Sequence, residues 1–156
     1  MKAKNHPGVY LPPPLIYVAI FFCSILADHI WPLAFFPAYQ AITHLIGWIV
    51  IALSVVCAVC GLWKFFRTRN TLITIKPARS LQTNGIYAYT RNPMYLGLLL
   101  LYTGIAFFKG NLWTFLFIPV LILIIQNYVI MNEEKYLERA FSSEYLEYKR
   151  SVRRWI

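Results

Sequence analysis

The chain has 156 residues, 59% of them hydrophobic and 17% aromatic against 13% charged, with a net charge of +9 and a mean hydropathy of +0.55. That balance excludes an ordinary water-soluble domain. The few charges fall in patches separated by apolar runs too long for core helices, so the reading is one all-α membrane bundle over residues 1–156.

The first apolar run extends from Val9 to Ala27 without a charge and continues past Asp28 and His29 to Phe36. It exceeds the apolar core of a typical signal peptide, and no small-x-small cleavage site follows it. It is therefore read as a retained span over about residues 12–35. The second run, Ala41 to Trp63, contains no charged residue, and roughly 20 such residues suffice to cross the hydrocarbon; this span covers about 41–66. Within it Cys57 and Cys60 form a C-x-x-C, but apolar Val55, Val56, Ala58 and Val59 supply neither access nor further ligands. They read as packing residues, as does Cys23 in the first span, and no metal is expected.

A polar region follows over 67–95. Thr71 to Ile75 reads as a short extended piece, Lys76-Pro77 breaks it, and Asn84-Gly85 is a turn signal. Asn92-Pro93 then opens a third span, with Asn as the N-cap and Pro in the first helical position. This span, about 92–108, and a fourth, about 111–132, read as a helical hairpin with its tip at Lys109, Gly110 and Asn111.

The fourth span ends in Gln126, Asn127 and Asn132, followed by Glu133-Glu134 and a tail over 133–156. Adjacent acids at the C-terminal end of a membrane helix oppose its dipole, so something should compensate. In one reading the helix continues: Leu137, Phe141, Tyr145, Tyr148, Val152 and Trp155 recur at three- and four-residue spacing, as in an amphipathic interfacial helix with the acids solvated. In the other, the acid pair faces Arg91 and a bound polar ligand.

Charge placement orients the bundle. With a cytoplasmic N-terminus, 14 of the 15 basic residues lie inside and Lys109 alone outside, as the positive-inside rule requires. Both termini are then cytoplasmic, in a bacterial inner membrane or an endoplasmic reticulum alike. Anionic lipid headgroups account for the positive charge, and no nucleic acid is implied.

Leu81, Gly85, Ile86 and Tyr87, then Arg91, Asn92, Pro93, Met94, Tyr95 and Gly97, occur in that order before Glu133-Glu134 and the tail's Phe141, Tyr145 and Tyr148. This run resembles the isoprenylcysteine carboxyl methyltransferase and phospholipid methyltransferase superfamily, from about Arg79 to the C-terminus. The resemblance implies an integral membrane methyltransferase that uses S-adenosylmethionine without a dinucleotide-binding domain. It implies cofactor contacts from Arg79, Ser80, Leu81, Gln82, Tyr87, Asn92, Pro93, Met94, Tyr95 and Glu133. The chemistry of methyl transfer adds Arg91 and Glu134 as catalytic candidates, with Arg91 on the cofactor's carboxylate or an anionic acceptor and Glu133 or Glu134 on its ammonium or ribose hydroxyls. It implies a lipophilic small-molecule or lipid acceptor bearing a carboxylate, thiol or amine.

Two positions depart from the family's pattern. Asn92 stands where His is usual, which keeps hydrogen bonding but loses a titratable ring. Val129 stands where prenylcysteine enzymes carry an arginine for the acceptor carboxylate. Two alternatives remain in view. An NADPH-dependent sterol or enone reductase shares a similar arginine-x-proline-x-tyrosine segment, but has an acidic residue where Leu98 follows Gly97 here. A non-enzymatic membrane scaffold leaves the motif without a purpose.

Overall fold

The computed structural model describes residues 7–33, 39–67 and 80–156. Lys2, Lys4, Arg69, Lys76, Arg79 and the expected extended piece Thr71 to Ile75 lie outside the described residues. The described elements are helical: α1 (Pro13–Ile30), α2 (Gln40–Arg67), a 3-10 turn (Gly85–Ala88), α3 (Pro93–Lys109), α4 (Leu112–Ile124), a π-turn (Ile125–Ile130) and α5 (Met131–Ser151).

Consecutive prolines start α1, where a missing N–H costs nothing because the first turn has no acceptor for it. The helix ends at Ile30, short of the expected residue 35; residues 34–38 lie outside the described set. Helix α3 runs antiparallel to α2 along a seam of small residues. Ser54 Oγ donates to the Gly97 carbonyl at 2.7 Å. A Cβ on Gly104 would stand 2.6 Å from Ile51 Cγ1 and 3.1 Å from the Gly47 carbonyl oxygen. Only glycine permits that approach, and close packing of this kind holds helices together where lipid offers no hydrophobic driving force.

At the far end of α3, Gly110 adopts the left-handed conformation (φ 62°) and its N–H closes on the Ala106 carbonyl at 3.1 Å. Asn111 Oδ1 then caps α4 by accepting from the Thr114 N–H at 2.9 Å. The hairpin tip therefore falls at the expected residues. Leu112 N–H donates to the Leu33 carbonyl and Trp113 Nε1 to the Trp31 carbonyl, each at 2.7 Å, which ties the tip to the end of α1. Helix α1 packs along α4, and Tyr17, Tyr95, Leu121, Ile125 and Val129 form the core between them and α3.

Three helical stretches, Pro13–Ile30, Gln40–Lys64 and Leu112–Ser151, are long and apolar enough to cross a membrane, the last by its apolar part before Asn132-Glu133-Glu134, and α3 is a shorter apolar helix. At 1.5 Å per residue its 17 residues rise about 26 Å, just under the ~30 Å hydrocarbon thickness. The outer surface carries large apolar side chains at high exposure, Phe22 at 66% and Trp48 at 64% among them. In water such a surface would aggregate, whereas in a bilayer it is the lipid contact. The chain is an all-α membrane bundle, as composition required.

Two local expectations are corrected. The acids do not stand at a helix end: α4 passes through the π-turn into α5 without interruption, so the dipole argument does not apply to Glu133-Glu134. Nor does the Asn92 side chain cap α3. Its carbonyl accepts from Leu96 N at 2.9 Å, while its side-chain amide donates instead to the Arg154 carbonyl at 2.9 Å.

The amphipathic tail helix is present, but it folds back. Ser142 sits at φ 45°, ψ −116°, and the helix reverses there. Lys149 Nζ meets Glu138 Oε1 at 2.6 Å, although eleven residues along a straight helix would put them about 16 Å apart. Trp155 Nε1 likewise returns to Gln126 Oε1 at 3.3 Å in the π-turn.

Candidate functional site

The return at Ser142 and the α3–α4 hairpin bring three segments to one end of the bundle: the loop before α3, the start of α5, and the C-terminal residues. Lys109 lies at the other end, at the hairpin tip. Where the three segments meet, Arg91 Nη1 pairs with Glu134 Oε1 at 3.2 Å, and both side chains are more than nine-tenths buried. Arg154 completes the pair from the tail, with Nε on Glu134 Oε1 at 2.9 Å and Nη2 on Oε2 at 2.8 Å. This is the bidentate fork that binds carboxylate most strongly. Arg91 Nη1 also donates to Tyr145 Oη at 3.2 Å. Arg91 Nε, in contrast, is buried with no acceptor.

Glu133 has a different environment. Its Oε1 accepts from Tyr95 Oη at 2.5 Å, and among the described residues no salt bridge at this end involves it. The two acids are adjacent in sequence, yet on a helix consecutive side chains point about 100° apart, so one turns to the tail and the other to α3. Their proton affinities separate accordingly. Burial raises the Glu134 carboxyl, but the Arg154 hydrogen bonds and the charges of Arg91, Arg154 and Lys149 outweigh it and hold the group below the usual carboxylate range. Burial pushes the Glu133 carboxyl up to about 7; the Tyr95 hydrogen bond opposes this and the Glu134 charge adds to it.

Backbone groups knit the same place together. Arg91 N–H donates to the Arg153 carbonyl at 3.1 Å, and Thr90 Oγ1 donates to the Arg154 carbonyl at 3.4 Å. Tyr148 Oη donates to the Tyr87 carbonyl at 2.7 Å, and Tyr87, Tyr145 and Tyr148 pack with Leu81 and Phe141 into a small aromatic cluster beneath the ion pairs. Burial and the neighbouring Glu134 charge push the Tyr145 phenol up to about 12, so it stays a neutral group beside Arg91.

Of the residues expected at the site, Arg91, Asn92, Tyr95, Glu133 and Glu134 converge directly. Tyr87 and Leu81 line the aromatic cluster, and Gln82 Nε2 donates to Ser80 Oγ at 2.8 Å. Pro93 and Met94 face α2 instead: a Cβ on Gly61 would lie 3.1 Å from Met94 Cγ and 3.6 Å from Pro93 Cγ. Arg79 lies outside the described residues. Sequence reasoning missed Arg154, Thr90 and the carbonyl of Arg153 as members of the site. Arg153 and Arg154 carried only the signal of topogenic charge, while Tyr145 carried those of an amphipathic position and of the family-like run. Among the described residues no cluster of His, Cys, Asp or Glu is arranged to hold a metal ion.

The phospholipid methyltransferase family model matches residues 42–144, about two thirds of the chain, which therefore belongs to that family of membrane methyltransferases. The match runs from α2 to just beyond the Ser142 reversal and takes in Arg91, Glu133 and Glu134. An uncharacterized protein of Haemophilus influenzae is 43% identical over 63 residues, which are 40% of this chain and 100% of that protein. No solved structure matches the chain.

Proposed function

We propose that the chain transfers a methyl group from S-adenosylmethionine to a lipophilic acceptor at the cytoplasmic membrane face. The observation that carries this reading is the unequal pairing of the two acids. Glu134 has two arginines, whereas among the described residues Glu133 has only a tyrosine hydroxyl and Arg91 keeps one buried N–H without an acceptor. A ligand with one cationic and one anionic group fits such a place, and the amino-acid end of S-adenosylmethionine is such a ligand.

In this reading Glu133 takes the ammonium and Arg91 the carboxylate, while Ser80, Leu81, Gln82, Tyr87 and Asn92 hold the remainder, with Arg79 from the segment before them. Glu134 serves the reaction through Arg91, whose guanidinium it orients. Tyr95 fixes the direction of the Glu133 carboxylate. Bound there, S-adenosylmethionine supplies a methyl on a sulfonium, which passes to the acceptor's lone pair as the carbon–sulfur bond breaks and its electrons stay on sulfur. The protein's share is alignment and the exclusion of water, which the half-buried site at the membrane boundary favours. Val129 is fully buried among apolar residues, so that position supplies no cation for an acceptor carboxylate. An amine or thiol is accordingly the fitting nucleophile.

Calorimetry on detergent-solubilised protein, with S-adenosylmethionine and NADPH side by side, tests the donor. Heat from the first and none from the second is expected; the reverse would transfer the chain to the reductase reading. The face is tested separately, in a cysteine-free background. A cysteine at Arg153 should react with an impermeant thiol reagent from the cytoplasmic side, and one at Lys109 only from the other. Labelling of both from one side would overturn the proposed topology.

A further inference from the structure

The last turn of the chain contributes more to the site than its charge. Arg154 lies beyond the matched residues 42–144, yet its guanidinium occupies both oxygens of Glu134, while its carbonyl receives the Asn92 amide and the Thr90 hydroxyl. Arg91 reaches the same carboxylate through one nitrogen only, at the longer distance of 3.2 Å, and its Nε has no acceptor. A single carboxylate thus meets two guanidinium groups. The fork geometry satisfies one of them fully and leaves the other with donors to spare.

We infer that Arg154 is a positioning residue that takes charge of Glu134 and so releases Arg91 to bind the carboxylate of an amino-acid-bearing donor. The inference deepens the donor-site reading above and rests on it. Without Arg154, Glu134 would be a buried anion with Arg91 as its one remaining arginine. Arg91 would then be drawn fully onto it, because leaving a buried carboxylate unpaired costs more than forgoing a ligand contact. With Arg154 in place, Arg91 can turn donors toward a ligand while Glu134 stays neutralised.

A role in carboxylate recognition has a signature that a role in folding lacks. It affects only ligands that carry the carboxylate. The experiment compares binding of S-adenosylmethionine and of its decarboxylated analogue to the full chain in detergent, for the unaltered protein, Arg154→Gln, Arg154→Lys and Arg150→Gln. The unaltered protein should favour the carboxylate-bearing ligand by about tenfold or more, the scale of a charge-assisted hydrogen bond. Arg154→Gln should bring that ratio close to one while the analogue binds as before. Arg154→Lys, which keeps the charge but not the fork, should fall between. Arg150→Gln, an exposed basic residue of the same tail that takes no part in the site, should change nothing.

Equal weakening of both ligands by Arg154→Gln would assign the residue to folding and overturn the inference. So would an unchanged ratio in both Arg154 variants, or an unaltered protein that does not discriminate. If the unaltered protein binds neither ligand, the donor reading itself falls, an outcome distinct from the others.

Discussion

Replacing Glu134 with Gln is expected to destabilise the folded protein by about 3 kcal/mol, near the low end for breaking a buried ion pair. The side chain is only 8% exposed and accepts from two arginines, of which Arg91 is 9% exposed and largely shielded from water. Glutamine preserves shape but leaves that guanidinium without a counter-charge. Arg154 is 28% exposed and can rehydrate, which keeps the loss from rising further. Thermal unfolding in detergent measures the effect. A change within ±0.5 kcal/mol, as at an ordinary surface position, would mean that the pair is not buried as described.

The same carboxyl gives the loss a pH window. Its folded-state pKa lies below the ordinary value of 4.5, so the folded protein binds fewer protons there than the unfolded chain. The stability it contributes is complete above that value and is lost as pH falls through the folded pKa. Glu134→Gln should therefore flatten the acid limb of the stability profile as well as lowering its plateau.

How much of this was legible in the sequence depends on the range over which each feature is decided. Ala41 to Trp63 has no charge and no alternative solvent, so its placement in a membrane follows from the residues themselves. The tip at Gly110 and Asn111 was equally local, since a left-handed glycine and an Asn cap need only their immediate neighbours. Asn92 shows the limit of that logic. Its preference for capping is real, but a carbonyl 62 residues away claims the side chain.

The reversal at Ser142 was not legible for a related reason. Leu137, Phe141, Tyr145 and Tyr148 keep helical spacing whether the helix runs straight or folds back, so periodicity cannot distinguish the two. Serine weakens a helix only slightly, and what closes the turn is pairing between distant residues, Lys149 with Glu138 and Arg154 with Glu134. The family-like residues located Arg91 and the acids. They reached the tail only through Phe141, Tyr145 and Tyr148 and carried no information on Arg154, which divides the work between the two glutamates.

Glu133→Gln should weaken binding of S-adenosylmethionine by about 1.5–3 kcal/mol, roughly 10- to 150-fold, with the fold retained. Retention is expected because among the described residues Glu133 has only the Tyr95 hydroxyl as a partner, and a glutamine oxygen can still accept that bond. The loss falls on the ligand because no cation among the described residues neutralises this acid. Its carboxyl is pushed up to about 7 from an ordinary 4.5, so between those values the folded protein holds a proton that the unfolded chain has released. Stability from this group is thus full below pH 4.5 and declines as pH rises to about 7, opposite in sign to Glu134. A cationic donor reverses the cost, since it favours the ionised form and expels the proton. Below pH 7 affinity should fall by up to about tenfold per unit, and binding near neutrality should release a fraction of a proton, measurable as a dependence of calorimetric heat on the buffer. In Glu133→Gln both the slope and the proton release should vanish. A donor affinity independent of pH in the unaltered protein, or a slope that survives the substitution, would remove Glu133 from the contact and leave the ammonium to another acceptor.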